Sequence, residues 1–408
     1  MKTAPPGNAI REERCTKPTP YPQPKRAPVP APYSTRNVCY AATCARFGRV
    51  WTVNNFGDEP QISALDAKSH AQQIAFAPIV FHASLALRNL GILDLLRQHR
   101  KQGMEAEAIA AELELPSYGV KVLLEAGLGA EVVFLRDNSY FLTKTGYFVL
   151  TDSMTRVNMD FVADVCYRSM PSLKDSILNQ KPVGLEHFGK WSTIYEGLTE
   201  LPEHAQKSWF AFDHFYSDIA FPEVLPLVFS NKPLHIVDVG GNTGKWAKQC
   251  LEYCQRVHIT ILDHPAQLQI AAETLKQAGF AGRFDVLPID LLAEGQEFPS
   301  GVDAIWMSQV LDCFSPAQIT HILGRAAQGL GKQATLYILE TFWDRQRFAT
   351  SAFSLVNTSL YFTCIANGNS KMYHSDDLKA CAQEAGLCLR KETDGIGIGH
   401  TLLEYRLA

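Results

Sequence analysis

The period of the apolar positions changes along the chain, and the change divides it. Between residues 63 and 96 apolar side chains return at helical spacing, at Ile74, Phe76, Val80, Phe81, Leu85, Leu87 and Leu90. Pro78 falls inside this run and is expected to kink or divide it, because proline lacks the N–H that closes a helical turn. A short helix is predicted over 105–113 and a second over 119–127, with a turn at 115–118 between them. Two apolar runs, 132–135 and 140–143, flank the polar residues 136–139 and predict a hairpin. Paired helices followed by a hairpin make a winged helix. Residues 156–230 read mostly as helices. From 231 onward strand-length apolar runs alternate with helical segments. Strands are predicted at 236–239, 259–263, 302–307 and 334–340, with a final strand pair at 387–391 and 401–406. Such alternation implies a mostly parallel, doubly wound α/β sheet with ligands at the carboxyl ends of its strands.

The first of these strands runs into the sequence Asp238-Val239-Gly240-Gly241-Asn242-Thr243-Gly244, followed by a helix predicted over 245–253. The second ends on Asp263, 19 residues after Gly244. Strand, glycine turn, helix, strand and terminal acid, in that order, are the layout of a Rossmann-type nucleotide site. Glycine at 240 and 244 lets the backbone turn sharply and pass close to a ligand. The terminal Asp263 is placed to accept hydrogen bonds from ribose hydroxyls. The spacing is Asp-x-Gly-x-x-x-Gly and differs from the three-glycine dinucleotide fingerprint. An acid two residues before the first glycine repels a pyrophosphate and suits a cationic or zwitterionic ligand. S-adenosylmethionine, with its ammonium and sulfonium, is such a ligand.

Composition narrows the reading. The chain has 408 residues and is 46% hydrophobic, enough for two or three domains. Its net charge of −4 argues against a nucleic-acid or membrane-surface partner. The 119–127 helix offers Lys121 as its one basic residue, beside Glu125, which is too little for a DNA-reading helix. No apolar run is long enough to span a bilayer, and the N-terminal segment lacks the apolar core of a secretory leader. The expectation is a cytoplasmic protein whose ten scattered cysteines are reduced thiols. Cys250 and Cys254 have no second metal-ligand pair at zinc spacing, so no metal site is expected. Residues 1–60 hold ten of the 22 prolines and no periodicity, and read as a disordered tail. The expected organisation is this tail, a winged-helix domain over 61–155, connecting helices over 156–230 that line a substrate pocket, and a ligand-binding domain over 231–408. Within the connecting helices, 208–216 is rich in aromatic residues. Trp209, Phe212, Asp213 and Tyr216 are candidates to wall a pocket for a planar substrate.

With these elements placed, residues 63–408 resemble the plant-type O-methyltransferase family. Its glycine motif V-D-V-G-G-G-T-G is matched by 237–244 with one change, Asn242. Its D-L-P motif is similar to Asp263-His264-Pro265, and its G-D-x-F/M region to Ile289-Asp290-Leu291-Leu292. Its D-A-x-x-M-K-W-x-L-H-D-W-S-D segment aligns without gaps to 303–316. The resemblance implies an α-rich winged-helix dimerisation domain followed by a Rossmann-like methyltransferase domain, acting as a homodimer. It implies S-adenosylmethionine as cofactor, contacted by Asp238, Gly240, Gly241, Gly244, Asp263, His264, Asp290, Leu291 and Ser308. It also implies a small aromatic acceptor, free or bound to a carrier protein.

The departures fall on the family's catalytic group. Its proton-abstracting His is matched by Asp312, its first glutamate by Glu340, its second glutamate by Met372, and its lysine by Ser308. The family resemblance thus assigns catalysis to Asp312 and Glu340, with Met372 beside the substrate. An ordinary carboxylate is a weak base for a phenol, so Asp312 needs a raised pKa or a different role. His214 and His374 are the alternative bases. The expected reaction is O- or ring C-methylation. Altered chemistry on the same cofactor, decarboxylation or hydroxylation, and a non-catalytic ligand-binding dimer are the alternatives.

Overall fold

The computed structural model describes Glu59 and residues 61–408. The predicted tail therefore lies outside the described residues, Glu59 apart. The chain begins with α1 (Ala64–Asn89), α2 (Ile92–Gln98), α3 (Ala106–Glu112) and α4 (Ser117–Gly129). The hairpin of β1 (Val133–Arg136) and β2 (Ser139–Leu142) follows, and then α5 (Lys144–Thr151). Leu87, Leu93, Leu96, Ile109 and Leu124 meet in a fully buried cluster that joins these helices to the hairpin.

Two expectations are corrected here. Pro78 does not divide α1, which runs unbroken through it. The carbonyl that Pro78 leaves without a helical partner belongs to Ile74, itself 76% exposed. The break comes instead at Gly91, whose φ of 81° ends the helical path. The hairpin turn falls on 136–139, as expected. Arg136 pairs with Ser139, and only Asp137 and Asn138, at φ 48° and 61°, make the turn. Finally, α4 starts at Ser117, inside the segment expected to be a turn.

The middle of the chain is helical: α6 (Ser153–Phe161), α7 (Leu173–Asn179), α8 (Glu203–Ser217) and α9 (Phe221–Val228). The α6 helix runs across residue 155, where the pattern placed a domain boundary. It ends in a π-helical turn, Val162–Cys166, of the kind that tends to occur beside functional sites.

The remaining elements are β3 (His235–Val239), α10 (Lys245–Tyr253), β4 (His258–Asp263), α11 (Pro265–Gln277), β5 (Phe284–Pro288), β6 (Val302–Ser308), α12 (Pro316–Gly329), β7 (Leu330–Glu340), α13 (Ala349–Tyr361), α14 (Ser375–Glu384), β8 (Leu387–Ile396) and β9 (His400–Leu407). They form one seven-stranded sheet in the order β5-β4-β3-β6-β7-β9-β8. The first five strands in that order pair in parallel, and β9 and β8 add antiparallel. Alternate residues of each strand pack against opposite helical layers. Val237, Val239, Ile305, Met307, Leu336 and Ile338 face α12 and α14. Ile236, Ile259, Ile261, Trp306 and Leu339 face α9, α10 and α11. In this second layer the Trp246 and Trp306 rings stack with centroids 4.1 Å apart and planes 17° apart. Both indoles are buried. The order reverses between β3 and β6, which is where an open α/β sheet leaves a crevice at its carboxyl end.

Candidate active site

A cavity of about 440 Å³ opens at that crevice. Its floor comes from the turns after β3, β4, β5, β6 and β7, and its roof from α8, α13 and the segments around Tyr195 and Asn367. Gly240, Asp263, His264, Asp290 and Leu291 line the sheet side, as the sequence predicted. Trp209, Phe212, Asp213, Tyr216 and Met372 line the other side. The α8 residues reach it together because positions i, i+3, i+4 and i+7 share one helix face. Asp312 lines the same cavity.

The glycine turn is built for close approach. Gly240 has φ 69°, and a Cβ there would stand 2.7 Å from Val310 Cγ2. Asn242, in place of the family glycine, keeps a left-handed φ of 49°, a conformation asparagine tolerates. Its N–H donates to Asp263 Oδ2 at 2.8 Å, and the His264 N–H donates to Oδ1 at 2.7 Å. These bonds aim the Asp263 carboxylate and leave further lone pairs for a ligand. The turn after β5 is pinned by Arg325 of α12, which donates to the carbonyls of Asp290 and Leu291 at 3.1 and 2.5 Å.

Four residues assigned to cofactor contact do not line the cavity: Asp238, Gly241, Gly244 and Ser308. Asp238 lies beneath the glycine turn and is 2% exposed. Burial, reinforced by Asp263, pushes its carboxyl up to about 8 and keeps it neutral at pH 7. A fixed negative charge repelling pyrophosphate is therefore not what this acid supplies. Gly241 is required by packing, since a Cβ would meet Ile261 Cγ2 at 2.6 Å and Asp238 Oδ2 at 2.7 Å. Gly244 has φ 78° and abuts Ala271 of α11. The Ser308 hydroxyl is buried without a hydrogen-bond partner.

Asp312 is the middle residue of a short helical turn, Leu311–Cys313, after β6. Burial pushes its carboxyl up to about 6, against the opposing effect of the Cys313 thiol, which donates to Oδ1 at 3.5 Å. Glu340, at the end of β7, is 2% exposed and also stands outside the cavity wall. Burial first, and then the Asp312 charge, raise its pKa well above the carboxylate range. Its Oε1 accepts the Leu311 N–H at 3.1 Å. Glu340 thus holds the backbone of the turn that presents Asp312. Asp213 is pushed up to about 7 by burial and by the charges of Asp312 and Asp218, with Lys245 opposing. The alternative bases are placed elsewhere. Neither His214 nor His374 lines the cavity. His214 Nδ1 is 3.7 Å from Asp213 Oδ2, and His374 Nδ1 caps α14 by accepting the Asp376 N–H at 3.1 Å.

Several wall residues had no signal in the sequence. Gln309 lines the cavity with φ 49° and a buried, unpartnered Oε1. Asn367 donates to the Cys313 carbonyl at 2.7 Å and so braces the same turn from the far side. Tyr361 accepts a hydrogen bond from Trp209 Nε1 at 2.7 Å. Phe161 stacks on Phe212 with centroids 4.0 Å apart. The one available clue was Asn242, the single change in the glycine motif. Its Nδ2 reaches across to Asp213 Oδ2 at 3.3 Å.

Comparison with known proteins bears on this geometry. A Dimerisation2-like domain matches residues 68–140, and an O-methyltransferase domain matches residues 199–387. The chain belongs to the O-methyltransferase family. It is 22% identical over 304 residues to an L-tyrosine C(3)-methyltransferase of Streptomyces lavendulae, covering 74% of this chain and 81% of the relative. It is 33% identical over 112 residues to a 3-hydroxy-5-methyl-1-naphthoate 3-O-methyltransferase of Streptomyces sahachiroi, covering 27% of this chain and 31% of that one. In fold it is similar to the S-adenosylmethionine-dependent methyltransferase SibL, with a TM-score of 0.64, 21% identity, and coverage of 83% and 99% of the two chains. It is also similar to NcsB1 in complex with S-adenosylmethionine and 2-hydroxy-5-methyl naphthoic acid, with a TM-score of 0.60, 18% identity, and coverage of 81% and 96%. This family member is a methyltransferase, and S-adenosylmethionine is its cofactor. The residues present fit that molecule. The Gly240 turn leaves a cradle that a Cβ would fill, and the Asp263 carboxylate is held at the strand end where a ribose is bound in Rossmann-type sites.

Proposed function

We propose that this protein methylates a small aromatic, phenolic acceptor at its hydroxyl or at the adjacent ring carbon, and that it works as a homodimer. The observation that carries the reading is the position of Asp312. It lines the same cavity as Gly240 and Asp263 and as the aromatic residues of α8. The cofactor, when bound, supplies an electrophilic methyl group on a sulfonium. Asp263 and the Gly240 turn hold it, with Asp290, Leu291 and His264 beside them. Trp209, Phe212, Phe161 and Tyr361 hold the acceptor ring flat. Asp312 Oδ2 takes the proton of the acceptor hydroxyl, while Cys313 holds Oδ1 and Glu340 and Asn367 hold the turn. The work of the protein is chiefly positioning and exclusion of water.

Dimerisation is supported by the matched dimerisation domain and by the surface of α1. Leu65, Phe76 and Ile79 share one face and are all more than half exposed there, an apolar stripe that isolated soluble domains rarely leave uncovered. The two relatives above, both from Streptomyces, are named for aromatic acceptors, a tyrosine and a naphthoate, which supports an aromatic acceptor here. Methyl-labelled S-adenosylmethionine with a panel of phenols tests the reaction. Label in the product supports methyl transfer. Cofactor-dependent product without label identifies a different reaction, and binding without turnover identifies a non-catalytic protein.

A further inference from the structure

The cavity wall is unbalanced in charge. It carries the carboxylates of Glu196, Asp213, Asp263, Asp290 and Asp312, and among the described residues no lysine or arginine lines it. Asp263 and Asp290 belong to the cofactor end, where backbone N–H groups of Asn242, His264 and Leu292 bind them. Asp213 belongs to the aromatic end and has no such complement. The nearest lysine, Lys245, is engaged by Asp218 at 2.7 Å. The His214 ring, 3.7 Å away, is kept neutral by burial, with Lys245 also lowering its pKa. The hydrogen bond that Asp213 receives comes from the uncharged amide of Asn242. The Asp213 side chain is 31% exposed and borders the cavity, and the neighbouring Asp218 and Asp312 raise the cost of its charge, which a cation would offset. The Trp209, Phe212 and Tyr216 rings on the same helix face offer the kind of surface that attracts a cation.

We infer that the acceptor is a cationic aromatic amine, a phenolic ring whose side-chain ammonium is held by Asp213 against the rings of α8. The inference rests on the aromatic-acceptor reading above and specifies its substrate class. The bound cofactor does not remove the need for that cation. Its ammonium and sulfonium are partly offset by its own carboxylate, and the wall remains in negative excess. An acceptor bearing a carboxylate is repelled by the same wall.

Calorimetry on the full chain loaded with S-adenosylhomocysteine tests this with three probes of similar shape: tyramine, 4-ethylphenol and 3-(4-hydroxyphenyl)propionate. Tyramine is expected to bind at least about ten-fold more tightly than 4-ethylphenol, the scale of one charge-assisted hydrogen bond, and the propionate most weakly. Near neutral pH, tyramine binding is expected to release protons, read by comparing buffers of different ionisation enthalpy, because an incoming ammonium favours ionised Asp213. Asp213→Asn is expected to abolish the tyramine advantage and the proton release. It should leave affinity for 4-ethylphenol and S-adenosylhomocysteine unchanged. Equal binding of tyramine and 4-ethylphenol, tightest binding of the propionate, or no tyramine binding overturns the inference. So does a loss of S-adenosylhomocysteine affinity in Asp213→Asn, which would place that carboxylate at the cofactor. Failure of the aromatic-acceptor reading is a separate result, the absence of label transfer to any phenol.

Discussion

Replacing Asp312 by asparagine keeps the outline of the side chain and removes its capacity to take a proton. Asp312→Asn is expected to lower the single-turnover rate by about 10²-fold, the usual contribution of a positioned general base, with cofactor affinity unchanged. The pH profile carries the second half of this prediction. A base works only when ionised, and burial holds Asp312 near 6. The wild-type rate should therefore rise with pH through about 6, and the variant should lack that limb. Groups facing this carboxyl in the cavity include Asp213, pushed up to about 7, so a second and smaller inflection above the first is expected and should persist in the variant. Full activity in Asp312→Asn would move the base elsewhere, and the histidines offered by the sequence are both outside the cavity wall.

At the scale of elements, the turn after β3 is the least tolerant part of the site. Gly240→Ala adds a Cβ to a left-handed residue and drives it into Val310 on the turn that carries Asp312. Loss of S-adenosylhomocysteine affinity by ten-fold or more is expected, by calorimetry, with far-ultraviolet circular dichroism retained. Normal binding in a folded variant would remove this turn from the site. The same scale shows what could be read from the sequence. The strands β3, β4, β6 and β7 were legible because both faces are covered, which writes a continuous apolar run into the chain. The strand β5 was missed. It is the sheet edge, Asp285 through Pro288 are exposed, and nothing in its pattern distinguishes it from a loop. The site divides in the same way. Gly240, Asp263 and Asp312 stand at fixed offsets from recognisable strands, whereas Gln309, Tyr361 and Asn367 meet only through tertiary folding. The role of Glu340 was legible as a residue type and not as an action, because its bond is to the Leu311 backbone.

For the whole molecule, the raised carboxyls make stability depend on pH. Asp213 and Asp238 titrate at about 7 and 8 in the folded state, above the value of about 4 for an unfolded carboxyl. The folded state then binds more protons than the unfolded one, so this stability is complete at low pH and is lost as pH rises through the folded values. Burial depresses the imidazoles His214, His235 and His400, which act in the opposite direction, but they have finished titrating above about pH 7. The melting temperature of the cofactor-free protein should therefore fall between about pH 7 and 9. A melting temperature that climbs across that window would contradict the raised carboxyls of these acids. Light scattering at micromolar concentration should give a dimer mass, and Ile79→Lys on the exposed stripe of α1 should shift it toward the monomer. A wild-type monomer would reject the dimer.

The paired indoles of Trp246 and Trp306 join the helix that follows the glycine turn to the central strand of the sheet. Two transition dipoles held that close and at a fixed angle couple as an exciton pair and give a bisignate band in circular dichroism. The sign and amplitude of such a band depend on the angle between the rings. The protein thus contains its own optical goniometer for the seating of α10 on the sheet. A ligand that draws the glycine turn closer, or a substitution that lifts the helix, will be visible as a change in that band before any loss of secondary structure.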